Sequence, residues 1–193
     1  MQAKADHPPP EIFGVQIERI PDNLLLEPIE YIFADHCRQR DMCSALKSLT
    51  KMDLSTDIAI EAAEMILACL QHDLARHIED EERDLFPLLK KRAKPEDKFD
   101  DTLRLLGSEH TRDRELANDV IAGLEQIAHA KPLPDLYRFR TSAEMLSEIH
   151  LSHLNWENNV VLELARLRLT DDDQRKMAKS MAARRGITLP PFD

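Results

Sequence analysis

Two segments of the sequence place a histidine four residues before a glutamate: His77 with Glu81, and His153 with Glu157. Each pair falls in phase with apolar residues that recur every three or four positions, the pattern of a buried helix face. Residues four apart project from the same side of a helix, so each pair can reach a single point. Imidazole and carboxylate groups together are suitable ligands for Fe, Mn or Zn ions.

Two single histidines extend this pattern to other segments. His36 lies 41 residues before His77, His110 lies 43 residues before His153, and both fall among apolar residues. A bundle with two-fold pseudo-symmetry would bring the two sets together. Burying two unpaired carboxylates is costly, whereas dications compensate their charge. The sequence therefore predicts a dinuclear metal site whose six ligands are His36, His77, Glu81, His110, His153 and Glu157.

The alternative interpretation is that these are hydrogen-bonded core residues or solvent-facing residues. A lone buried histidine favours that interpretation, and one His-x-x-x-Glu unit occurs often by chance. The doubled arrangement, matched in helix face, spacing and repeat, favours the metal site instead. Two bridging glutamates and two histidines per ion give each ion four protein ligands. An oxo or hydroxo bridge adds a fifth, so a six-coordinate ion keeps one position open to a small molecule.

Helices are predicted to carry all of these residues, because no segment shows a convincing strand pattern. The predicted long helices, in chain order, span about 24–50, 55–94, 95–130 and, after the break KPLPD, up to about 169. Four long helices with short connections predict an all-α, antiparallel up-down-up-down four-helix bundle. The length of 193 residues fits a single domain, with an N-terminal arm (1–23), the bundle (24–169) and a C-terminal helix and tail (170–193).

Capping residues and apolar stripes support these helices. Pro28 suits a first turn, Ser55 or Thr56 can cap the second helix, Thr170 can cap the C-terminal helix, and Gly186 is placed to end it. The apolar residues expected to face the core of the first, second and fourth helices are Ile29, Ile32, Phe33, Cys43, Leu46, Leu49, Leu67, Leu70, Leu74, Ile78, Leu85, Leu88, Leu146, Ile149, Val160, Val161, Leu164 and Leu167.

Composition excludes several classes of partner. The net charge is −10 and the pI about 5.3, so nucleic acid and anionic membranes attract the chain little. No apolar run reaches the roughly 18 residues of a membrane helix. The sequence starts without the apolar stretch of a signal peptide. Three cysteines, an odd number, suggest reduced thiols and a cytoplasmic location.

The sequence resembles the hemerythrin-like HHE cation-binding domain family over about residues 30–170. The resemblance is carried by His36 in ADHCRQR, by HIEDEERDLFPLL, by His110 in SEH, and by HLNWE. It implies a four-helix bundle that holds two Fe ions bridged by oxo or hydroxo, with Mn or Zn as alternatives. By that resemblance the four histidines are terminal ligands, and Glu81 and Glu157 bridge the two irons.

Two departures separate this chain from the oxygen-carrying hemerythrins. Those carriers have a second histidine one turn along the third helix, where this chain has Arg114, and an aspartate where it has Asn158. The arrangement resembles repair-of-iron-centres proteins more closely. His150, one turn before His153, is either an additional ligand or a histidine outside the ligand set. Glu109 either orients His110 or lines an ion path, or it is simply exposed.

The resemblance leaves several functions open. The first is sensing or handling of oxygen, nitric oxide or iron by a di-iron binding protein. The second is a redox enzyme, a di-iron oxidoreductase, or an iron-centre repair protein that uses the same site. The third is a reversible oxygen carrier or a metal store, and the departures from the carriers count against carriage. The expected partner is a small diatomic ligand or iron, and the chain is expected to be a monomer or a homodimer.

Overall fold

The computed structural model describes residues 17–192, except for the side chains of Thr102, Leu105 and residues 107–114. This part of the chain forms helices and contains no β-strand, which confirms the all-α prediction. The eight α-helices of this part are α1 (Pro28–Leu49), α2 (Asp57–Ala68), α3 (Leu74–Asp80), α4 (Phe86–Arg92), α5 (Phe99–Ala128), α6 (Leu136–Trp156), α7 (Leu162–Arg168) and α8 (Asp171–Arg184). Residues 1–16, most of the predicted arm, lie outside the described residues.

Several of these helices continue into one another through π-helical turns, in which the backbone hydrogen bond spans five residues. The π turns Cys69–Asp73 and Glu81–Leu85 join α2, α3 and α4, and the turn Glu157–Val161 joins α6 to α7. We call α2–α4 the second long helix and α6–α7 the fourth long helix. Helix α1 packs against α2 and α6, and α5 packs against the same two helices. No helix among residues 17–192 is long and apolar enough to cross a bilayer.

Polar side chains and one glycine set the ends of the helices. The Thr56 hydroxyl accepts a hydrogen bond from the Ala59 backbone N–H at 3.3 Å, so Thr56 caps α2. Thr170 and Asp173 form a capping box at the start of α8. Gly186, at φ +66°, follows the end of α8 in the left-handed region that favours glycine. These observations confirm the predicted caps.

Two apolar clusters fill the core, and the predicted site lies between them. One contains the C-terminal half of α1 with residues of α2, α5 and α6, including Leu46, Ile66 and Leu146. The other contains the start of α1 with residues of α4, α7 and α8, including Ile32 and Leu89. Each predicted ligand pair therefore lies where its helix passes from one cluster to the other.

Some residues predicted to face the core are in fact exposed. Phe33 has 39% of its surface exposed, and in the fourth long helix Val160 and Leu167 are 38% and 68% exposed. Val161 is buried as predicted, and Leu162 and Ala165 are buried although they were not predicted to face the core, since the π turn holds one more residue than an α turn and shifts the buried face. The same shift in the second long helix buries Leu89, whereas Leu88 is only partly buried.

Candidate metal centre

Four of the predicted ligands converge on one point in the core. His36 comes from α1, His77 from α3, and Glu81 and Glu157 are the first residues of two π turns. One ligand atom of each lies within 4.8 Å of the ligand atoms of the other three. All four residues are buried, and both glutamates are fully shielded from solvent. Two carboxylates and two imidazoles thus face one another away from water.

The distances in this cluster suit ligands that share an ion. His36 Nε2 lies 3.5 Å from Glu157 Oε2 and 3.8 Å from Glu81 Oε1, and His77 Nε2 lies 3.5 Å from Glu81 Oε2. Two ligands that each sit about 2.1 Å from a metal ion are separated by about 3 Å at right angles and about 4 Å when opposite. Neither Nε2 atom has a hydrogen-bond partner in the described part of the chain. The residues present therefore fit a bound cation.

The other ring nitrogen of each histidine is held by a neighbouring side chain. Asn158 Oδ1 lies 2.7 Å from His36 Nδ1, and Asp35 Oδ2 lies 3.3 Å from His77 Nδ1. Each oxygen can accept the Nδ1 proton, which leaves Nε2 as the atom that would donate its electron pair to a bound cation. Such outer partners orient metal-binding histidines and raise their basicity.

The second predicted pair lies beside this cluster. His153 Nε2 is 2.9 Å from Glu157 Oε1, so Glu157 contacts histidines from α1 and from α6. The ring of His150 is parallel to that of His153, with 6.1 Å between the centroids. His150 Nε2 lies 2.6 Å from Gln39 Oε1. The ring nitrogen of His150 that points away from the backbone is therefore hydrogen-bonded to Gln39. This contact favours a position for His150 next to the predicted ligands but outside the ligand set.

Buried charges control protonation at this centre. Burial alone would lower the pKa of His77, but the carboxylates of Glu81, Asp35 and Glu157 raise it to about 10. Burial also opposes ionisation of Asp35, yet His77, Arg38 and Gln39 hold the pKa of Asp35 below its usual value. When no cation is present, His77 is therefore protonated on both ring nitrogens at neutral pH. Binding of a cation through Nε2 must release the proton on that atom.

The structure brings together five of the six predicted ligands: His36, His77, Glu81, His153 and Glu157. The side chains of His110 and Glu109 lie outside the described residues, as does that of Arg114.

Sequence reasoning missed three supporting residues, Asp35, Gln39 and Asn158. A signal existed for the first two, because Asp35 and Gln39 are one turn apart and continue into the buried stripe Met42 and Leu46. The sequence marks Asn158 only as a departure from the oxygen carriers.

Comparison with known families agrees with this geometry. The model of the hemerythrin HHE cation-binding domain matches residues 27–165, close to the span expected from the sequence. No curated protein and no solved structure matches the chain significantly. The matched span includes every predicted ligand and covers most of the 193 residues. The chain belongs to the hemerythrin HHE cation-binding domain family.

Proposed function

We propose that this protein binds two iron ions and uses them to sense or handle oxygen, nitric oxide or iron. The ligands would be His36, His77, Glu81 and Glu157 together with His153 and His110. The observation that carries the proposal is the convergence of two buried carboxylates and two imidazoles whose Nε2 atoms have no hydrogen-bond partner in the described part of the chain. Mn and Zn suit the same donors and are the alternative metals.

Iron would supply redox activity and open coordination positions for a small diatomic ligand. The protein's own residues hold the donors in place and keep water away. Asn158 and Asp35 fix the rings of His36 and His77. Apolar clusters on both sides exclude bulk solvent from the carboxylates. A binding and sensing role is preferred to a redox enzyme or an iron-centre repair protein because the sequence shows no second-substrate motif, and to an oxygen carrier because Arg114 and Asn158 depart from the carriers. A metal store is the remaining alternative.

We also propose that residues 1–193 form one domain with alternating helix directions. Along α1 the chain passes from the cluster around Ile32 to the cluster around Leu46. The second long helix passes back, and α5 and the fourth long helix repeat the alternation. This order supports an antiparallel up-down-up-down bundle with α8 packed at one end. No disulfide joins the three cysteines, in keeping with a cytoplasmic location.

Metal analysis and optical spectroscopy of the aerobically purified chain test the proposal. We expect close to two iron ions per chain and ferric absorption in the near ultraviolet. Changing His77 and His153 together to alanine should abolish metal binding, because the variant removes a donor from each predicted pair. Anaerobic reduction followed by exposure to oxygen or nitric oxide then tests for a spectral change at the same site.

A matched control is the variant with His72 and His129 changed to alanine. Both histidines are exposed, so this variant should retain the metal content of the unchanged protein. Purification without metal and with full stability would contradict the site. Full metal binding by the His77 and His153 variant would show that the ligand set is wrong. A stable, reversible oxygen adduct would favour the carrier function instead.

A further inference from the structure

A cavity of about 310 Å³ opens beside the metal centre, where the segment before α1 meets α1, α3 and α8. Its wall includes Asp35, so a single side chain separates the cavity from His77. Four arginines line the cavity: Arg19, Arg38, Arg76 and Arg185. No lysine is found among the described residues that line it. This concentration of guanidinium groups contrasts with the net charge of −10 of the chain.

Two of these arginines form a fixed inner wall. Arg38 donates to Asp35 at 3.1 Å and to Asp73 at 2.8 Å, which holds it between α1 and the second long helix. Arg185 donates to the Tyr31 hydroxyl at 3.1 Å and lies over the Tyr31 ring. Guanidinium groups held in this way lose little freedom when a ligand binds.

The remaining donors of the cavity are the ones a ligand could use. Arg76 is exposed, and no hydrogen bond or ion pair joins its guanidinium to the rest of residues 17–192. The three lining carboxylates are already engaged, Asp22 by Arg19 and the other two by Arg38. The groups of the cavity that remain available to a ligand are therefore positively charged N–H donors.

We propose that this cavity binds a small divalent oxyanion of the phosphate or dicarboxylate class. A guanidinium presents parallel N–H groups that match two oxygens of a carboxylate or phosphate, whereas an ammonium does not. The volume is at the lower end of the range for ligand pockets, about 300–1,000 Å³, and so fits a ligand of a few heavy atoms. Arg76 is the principal contact.

Calorimetric titration of the full chain with inorganic phosphate, and separately with succinate, tests this proposal. The reference is chloride at the same ionic strength. We expect one saturable site for at least one divalent anion and none for chloride. Arg76→Ala should weaken that binding by about tenfold or more, since charge-assisted hydrogen bonds are lost. Tighter binding of phosphate would assign the phosphate class, and tighter binding of succinate the carboxylate class.

The matched control is Arg83→Ala. Arg83 is also an exposed arginine of the second long helix, but it pairs with Glu79 and does not line the cavity. Circular dichroism checks that both variants fold, and metal content is measured before and after titration because phosphate binds iron. The proposal is overturned if neither anion saturates, if Arg76→Ala binds unchanged, or if Arg83→Ala weakens binding equally.

Discussion

At the scale of single residues, the two histidines of the four-residue cluster differ in what supports them. Asn158, a neutral amide, accepts from His36 Nδ1, whereas Asp35, a carboxylate, accepts from His77 Nδ1. A carboxylate partner makes an imidazole a stronger electron donor than an amide does. Gln39 and Arg38 both donate to Asp35 and fix its position. Asp35 should therefore contribute to metal affinity although it is not a ligand.

Replacing Asp35 with asparagine tests this contribution. Asp35→Asn keeps an oxygen that can accept from His77 but removes the negative charge. Changes of this kind typically cost about 10–100-fold in metal affinity, and we expect a loss in that range. The measurement is competition for iron with a chelator of known affinity. Asp73→Asn is the control, because Asp73 shares Arg38 with Asp35 and does not contact His77. An equal loss in both variants would contradict the argument.

The sequence could predict the candidate ligands better than the residues that support them. Each histidine predicted to be a ligand lies on an apolar stripe, and the repeated spacing predicts that it faces inward. Asp35 lies beside His36 in a segment that also contains Arg38, Arg40 and Asp41. The local period can place Asp35 on the buried face of α1, but only the packing of α1 against α3 shows that its carboxylate contacts His77. Contacts between helices distant in sequence are not encoded in the local period.

At the scale of helices, the π turns explain the failed core predictions in the second and fourth long helices, although not the exposure of Phe33 in α1. Both glutamates predicted to bridge the metals begin a π turn. A π turn adds one residue to the helical repeat. Beyond the turn, the buried face is therefore displaced by one residue from the positions that a count in steps of three or four predicts. In the fourth long helix the predicted face is buried at Glu157 and at Val161, but Val160 and Leu167 are exposed. No residue type marks a π turn as clearly as proline or glycine marks a helix end.

The C-terminal helix α8 provides a second test at this scale. Asp80, next to Glu81 in sequence, is buried, and Arg184 and Arg185 of the α8 terminus both donate to it. Changing both arginines to alanine leaves a buried carboxylate without its partners, which should lower the free energy of unfolding by about 4 kcal/mol. Urea denaturation measures the change.

The control for the α8 variant is again Arg83→Ala. Arg83 and Glu79 form an exposed pair one turn apart, for which we expect a loss of about 0.5 kcal/mol or less. If the free energy of unfolding fell no more in the double α8 variant than in this control, the ion pairs between Asp80 and the two arginines would not stabilise the fold. In that case α8 would be held to the bundle mainly by its apolar residues Met177, Met181 and Ala182.

At the scale of the whole molecule, the helical class and the spans of the long helices could be predicted from the sequence, because apolar periodicity and capping residues act locally. The connections were harder to predict. Pro95 was expected to begin the third helix, but Pro95–Asp97 forms a separate 3₁₀ turn. Lys98 then adopts a left-handed conformation with φ +48°, and α5 begins at Phe99. Asp97 in this turn accepts two hydrogen bonds from Arg168 at the end of α7.

This contact between the connection and the fourth long helix makes stability depend on pH. Hydrogen bonds from Arg168 and from the Lys94 backbone lower the pKa of Asp97 to about 2. An unfolded aspartate titrates near pH ~4. Between pH ~4 and ~2, the unfolded chain therefore binds a proton at Asp97 that the folded chain does not bind. The stability that the ionised Asp97 contributes is complete above pH ~4 and is lost as the pH falls towards 2.

The variants Asp97→Asn and Arg168→Gln test this dependence in metal-free protein, so that release of metal in acid does not enter. Each variant removes one partner, and each should flatten the loss of stability between pH ~4 and ~2 relative to the unchanged chain. The measurement is the thermal midpoint at a series of pH values. Asp97→Asn removes the titrating group itself, whereas Arg168→Gln keeps the hydrogen bond from the Lys94 backbone and should flatten the loss less. Because the two side chains share one interaction, the double variant should match Asp97→Asn. Additive flattening in the double variant would show that Asp97 and Arg168 act through different partners.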